Sequence, residues 1–206
     1  MLGEMIPHRL RRKVAGLTIV EAVVTIGIVA VLAAVALPSM RNFMMQQRVK
    51  SVARELLADI QLARTTALQQ TGTGVGTFYV ELAFAVKAAG TCYVIVPTQK
   101  SDVVCDCSYD RAVKDATLCT GGGTTGGSRT PIKTVNIDTS RGVRTTGPAA
   151  GPMFYETSTG VLVDRVSKTI SVTGDSVGSL NILVNAAGLP RICVPSGSNF
   201  SGFPAC

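Results

Sequence analysis

Between Leu17 and Leu37 the chain runs for 21 residues with one charged side chain among them, Glu21. As a helix, that run is long enough to cross the hydrocarbon core of a bilayer, and being apolar all round it cannot be covered by one small domain. Arg9, Arg11, Arg12 and Lys13 stand just ahead of it. Cations of that kind stay on the cytoplasmic side, which sends everything after Pro38 outward. Glu21 is the anomaly. A carboxylate inside a membrane segment costs a few kcal/mol, so it calls for a partner or a task. A cut between Gly16 and Leu17 supplies a partner, because the new ammonium on Leu17 lies one helical turn from Glu21 on the same face. Glu21 then also sits in the first turn, where the helix dipole favours an anion.

Gly16, the run Leu17-Thr18-Ile19-Val20-Glu21, the apolar stretch and Pro38 together resemble the class III signal of type IV pilins and type II secretion pseudopilins. The resemblance implies that a prepilin peptidase cleaves after Gly16 and methylates the new amino terminus of Leu17. It implies assembly roles for Glu21 and Pro38, and partners that are other pilin or pseudopilin subunits. It places the protein in the bacterial inner membrane, single-pass with its C-terminus periplasmic, and in a pilus or pseudopilus filament. Leu17 departs from the family's usual phenylalanine but keeps its apolar character. A cleaved secretory signal fits poorly, since no small-residue site ends the apolar run before Pro38. An uncleaved single-span anchor is the stronger alternative.

The expected organisation is a leader over 1–16, a membrane and filament-core helix over 17–37, an amphipathic helical half over 38–70 and a β-rich extracytoplasmic domain over 71–206. Loss of the leader removes four Lys/Arg and Glu4, which takes the formal net charge from +7 to +4. His8, the only histidine, goes with it. Cys-His and Ser-His catalysis and histidine metal ligation are thereby excluded from the processed chain, and neither a catalytic residue, a metal site nor a cofactor is expected.

Past Pro38, which should kink or loosen the helix, Val49, Val52, Leu56, Ile60, Ala63 and Ala67 recur at spacings of three and four, the mark of one buried face. From Leu17 to Gln70 such a helix measures about 80 Å. Arg48-Val49-Lys50, Leu56-Leu57 and Leu62-Ala63-Arg64-Thr65-Thr66-Ala67 are similar to the helix end of the GspH/FimT group of minor pilins and pseudopilins. Gly72, Gly74 and Gly76 then stop the helix. The period changes to two, with strands expected over 77–87, 91–97, 132–138, 153–156, 161–164, 168–173, 180–185 and 191–194 and a turn at Ala88-Ala89-Gly90. The fold class is α+β, a long helix packed on a C-terminal antiparallel domain, and the resemblance supplies its arrangement in two small sheets. Ser101–Thr130 is a polar, glycine-rich insertion. It lacks the lysine and following helix of a phosphate loop and reads as a surface loop.

Cys92, Cys105, Cys107, Cys119, Cys193 and Cys206 all fall in the part expected outside the cytoplasm, where an even count argues for disulfides. Cys193 with Cys206 closes a short C-terminal loop and is the first choice of pair. Such a closure contributes about 3 kcal/mol in the chain-entropy picture. The other four would pin the insertion, in a connectivity the sequence leaves open. A four-cysteine zinc site ranks well behind, because C-x-C is not the usual knuckle spacing.

Transformation-linked members of the FimT branch carry Gly-Arg-x-Arg near the C-terminus, where the arginines meet phosphates. Here the corresponding stretch is Gly188-Leu189-Pro190-Arg191, so only Gly188 and Arg191 match. Arg141, Arg144, Arg165 and Lys168 could supplement Arg191 if the fold gathers them, since phosphate contacts need no base-specific geometry. A solvated arginine at a strand end is the preferred reading of Arg191. The functional expectation is a minor pilin that primes or enters a filament, with DNA uptake as an added role. A GspH-like pseudopilin and a DNA-binding module at a pilus tip are the alternatives.

Overall fold

The computed structural model describes Gly16 and residues 18–70, 78–87, 90–99, 104–105, 107, 119–120, 131–149 and 151–206, with backbone alone at 35–39, 78, 99, 104–105 and 119–120. The leader up to residue 15, Leu17, the glycine stop at 71–76 and most of the insertion lie outside the described residues. The chain divides into two compact units, one ending at Arg41 and one spanning Asn42–Cys206.

Helix α1 runs from Ile19 to Gln69. Thr18 caps it, its side-chain oxygen accepting from the Glu21 amide at 3.2 Å. A threonine here satisfies one of the amide donors that every helix start leaves without a partner. The helical backbone continues through Pro38, where the sequence led us to expect a kink or loosening.

In the second unit the strands are β1 (Phe78–Lys87), β2 (Gly90–Gln99), β3 (Val104–Cys105), β4 (Cys119–Thr120), β5 (Lys133–Asp138), β6 (Val143–Thr146), β7 (Met153–Glu156), β8 (Lys168–Gly174), β9 (Gly178–Val184) and β10 (Pro190–Cys193). All the strand pairings are antiparallel. The first sheet has the order β5-β2-β1-β7 and the second β10-β9-β8-β6, while β3 and β4 form a separate short ribbon. The α+β class expected from sequence is the one observed.

Val49, Ala53, Leu56, Ile60, Ala63 and Ala67 form the buried helix stripe. Ala53 takes the central place expected of Val52, which is only partly buried, because a small side chain there admits closer packing. The stripe shares one core with Val80, Leu82, Tyr93 and Ile95 of the first sheet and Ile170, Val172, Leu180 and Ile182 of the second. The two sheets also meet through side chains, Thr91 Oγ1 lying 2.8 Å from Thr145 Oγ1.

Three local expectations change. Gly90 is no turn tip; it opens β2 opposite Lys87, and a Cβ there would come within 2.2 Å of the Ile137 carbonyl oxygen. The expected strand at 161–164 reduces to a single bridge, Leu162 with Tyr155. The tight return after Glu156, closed by the Gly160 amide on the Glu156 carbonyl at 2.9 Å, leaves no length for a ladder. Strand β6 was not anticipated, because Val143-Arg144-Thr145-Thr146 offers only two core-facing residues.

Candidate functional site: the bare helix and the cation face

In the first unit the helix presents Ile19, Val20, Val23, Val24, Ile26, Ile28, Val29, Val31 and Leu32 more than half exposed, Ile19 at 85% and Ile26 at 69%. The exposed positions go right round the helix. Glu21 lies in the first turn, and among the described residues no ion pair involves it. Its expected partner, the amino group of Leu17, lies outside the described residues, as does the side chain of Pro38. Gly16 is exposed, with open space around the position of a Cβ. Among the described residues no helix is long and apolar enough to cross a membrane. The expected span extends over Leu17 and 35–37, whose side chains lie outside the description.

The second unit holds its helical half by polar as well as apolar contacts. Asp59, 4% exposed, accepts from the Tyr93 hydroxyl at 2.6 Å and from Lys133 Nζ at 2.8 Å. Lys133 also lies 3.6 Å from Glu55. Burial and the Asp59 carboxylate push the Tyr93 hydroxyl well up, and the hydrogen bond to Asp59 raises Lys133 against the opposing effect of its own desolvation. Arg64 donates through Nε to the Gly160 carbonyl at 3.1 Å, and the Ser158 amide donates to Ala67 at the helix end. The arginine of the Leu62–Ala67 motif thus fastens the helix end to the β7 return. Sequence inspection could have found Asp59, since it falls beside Ile60 on the buried stripe.

Two disulfides are described. Cys193 is bonded to Cys206, closing the C-terminal loop as chosen from sequence, and Cys92 is bonded to Cys107, tying the start of the insertion to β2. Cys107 packs with Ala83, Cys92, Val94 and Val96 on the face of the first sheet away from the helix. The register sets Cys105 opposite Cys119. Among the described residues no cluster of potential metal ligands occurs.

The phosphate-contact candidates do not gather at one point. Arg144 and Arg191 are exposed and lie on the outer face of the second sheet, opposite Thr173 and Leu183 respectively. Three strand spacings and a four-residue offset separate them, roughly 20 Å. Thr146, Thr169, Ser171, Thr173, Ser179 and Asn181 fill the surface between, and no carboxylate stands on these strands' outer positions. Arg141 sits elsewhere, beside the helix, its carbonyl 3.5 Å from Arg48 Nη1. Arg165 approaches Glu156 at 3.6 Å. Lys168 is buried and paired with Asp164, so it is no free phosphate ligand. Burial opposes the Asp164 charge, but the Lys168 and Val166 hydrogen bonds outweigh it and hold that carboxyl below its ordinary range.

Gly188 has a structural reason to be glycine. Its φ of +77° is the left-handed region, and a Cβ would meet the Gly160 carbonyl oxygen at 2.6 Å and the Tyr155 ring at 2.8 Å. The turn between β9 and β10 needs it whether or not a ligand binds.

Neither a protein-family model nor a curated protein matches the sequence. Among solved structures, the chain is similar to the type IV minor pilin FimU of Pseudomonas aeruginosa strain PAO1, at 18% identity over 74% of this chain and 91% of that one, with a TM-score of 0.44.

Proposed function

We propose that this protein is a FimT-like minor pilin, held in the bacterial inner membrane by its apolar helix before entering or priming a type IV pilus. One observation carries the reading: the helix from Ile19 to Leu32 is apolar and exposed all round. So much apolar surface needs lipid or neighbouring copies of the same kind of helix, and a filament built on such helices supplies both in turn. Thr18 at the cap and Glu21 in the first turn fit a start at Leu17, where cleavage after Gly16 would set an ammonium beside the carboxylate. A GspH-like pseudopilin of type II secretion would use the same surface. The reading assigns the chain no catalysis and no cofactor.

Mass spectrometry of the membrane-extracted protein, from cells possessing the peptidase, should find N-methylated Leu17 at the terminus. An intact Met1 terminus would overturn the pilin reading. Recovery of the protein with sheared surface filaments supports the pilus, and recovery only with a secretion pseudopilus supports the alternative.

A second reading, DNA contact, is favoured by the outer face of the second sheet, where Arg144 and Arg191 flank hydroxyl-bearing residues and the strands' own outer positions carry no carboxylate. Such contacts would be sequence-tolerant and steeply salt-dependent. Arg191→Ala should weaken binding uniformly and lower the salt slope by about one, while Leu189→Arg, at a half-exposed position, should strengthen it. A gel-shift series at low salt decides. If the wild type fails to shift DNA and only Leu189→Arg does, the DNA role is lost.

A further inference from the structure

Glu81 sits in the middle of β1, opposite Val96 of β2 and Phe154 of β7, on the face that carries Ala83, Val94 and Val96. It is 1% exposed, and neither carboxylate oxygen has a hydrogen-bond partner among the described residues. A buried carboxylate without partners is disfavoured in its ionised form, so the site favours the neutral acid. Among the described residues, the groups facing it carry no cation. On β1 the next residue of that face is Tyr79, and β2 contributes Val96 and Thr98. On β7 the nearest charge is Glu156, a like charge two residues along from Phe154, already bound by the Thr159 hydroxyl at 2.8 Å and approached by Arg165. Cys107 is neutral in its disulfide.

Strand β7 is the place where this tension can be released. It is four residues long and ends the first sheet, with, among the described residues, only the short return at 161–163 along its other edge. On its opposite face the Tyr155 hydroxyl is also buried without a hydrogen-bond partner among the described residues. The β1–β7 pairing therefore has an unpartnered polar group on each face of the sheet, Glu81 of β1 on one and Tyr155 of β7 on the other, and it spans four residues while β1 and β2 pair over ten. Local opening is expected where buried polar groups are unpaired and the ladder is short.

We propose that Glu81 is a proton-operated latch on the first sheet: the neutral acid leaves β7 paired with β1, and ionisation loosens that strand so that water reaches the carboxylate. This goes beyond membrane anchoring and filament assembly and does not depend on them.

Burial pushes the Glu81 carboxyl from an ordinary 4.5 up to about 7. The closed sheet then binds more protons than the opened one between these values. Closure is therefore strongest at acid pH, weakens as pH rises from about 4.5 through 7, and is constant above that.

Hydrogen exchange of the full-length protein in detergent micelles, followed by mass spectrometry and corrected for the intrinsic pH dependence of exchange, reads this directly. In the wild type, protection over Met153–Glu156 should fall roughly tenfold or more between pH 5.5 and 8. Glu81→Gln keeps the shape and removes the charge, and its corrected protection should be flat across that range. Identical profiles for the two proteins would overturn the latch. So would carbon-detected NMR of the wild-type Glu81 carboxyl showing a midpoint at the ordinary glutamate value, a measurement that stands even if the variant folds poorly.

Discussion

The two parts of α1 solve opposite problems with similar residues. Up to Leu32 its valines, isoleucines and leucines are exposed on every side, whereas between Arg48 and Ala67 one stripe is fully buried and the rest carries Arg48, Lys50, Arg54 and Arg64. The second pattern is what a single domain needs: a face for the core and a charged remainder for water. The first has no such division. Helical structure is common to both; what differs is the identity of the cover. A buried stripe contributes to the stability of its own domain, while an exposed one contributes no such burial.

The comparison can be broken most sharply with paired truncations. Leu56→Ala, in the buried stripe, should cost about 3 kcal/mol of unfolding free energy through lost burial and the cavity left behind. Ile28→Ala, in the bare segment, should leave the unfolding of the domain unchanged within error. Denaturant titration of the full-length protein in micelles, read by near-ultraviolet circular dichroism of the domain's tyrosines, checks both. Equal losses from the two changes would mean that the bare segment supports the domain after all.

A smaller effect sharpens the same comparison on the polar side. Lys133→Met removes the cation beside nearly buried Asp59 while keeping much of the side-chain bulk, and should cost about 1–2 kcal/mol after allowing for the partial exposure of Lys133. The sign of the pH dependence is fixed by the raised pKa. The contribution is fully present below the ordinary lysine value of 10.5 and is lost as pH climbs through the higher folded value, so wild type and variant should converge in strongly alkaline solution. A constant difference up to those pH values would show that the loss is one of packing alone.

Sequence periodicity alone determined a good deal. The run from Leu17 to Leu37 announced a helix that no small domain could cover, and Val49, Leu56, Ile60, Ala63 and Ala67 located the buried stripe, because both depend on helical geometry within one segment. Met153–Glu156 could be delimited for a similar reason, its alternation being confined to four residues between turns. Cys193 with Cys206 was legible because a short loop leaves few partners within reach.

Only the tertiary structure decided the rest. Arg144 and Arg191 are 47 residues apart in sequence, and only the register through β8 and β9 puts them on one face while leaving Arg141 beside the helix. Lys168 looked like a free cation until Asp164 and the core enclosed it. Glu81 stands in an alternating strand where a polar residue would ordinarily face water. Its burial depends on a second covered face, with Cys107 bonded to Cys92 on that side of the sheet, a long-range contact that no local period contains.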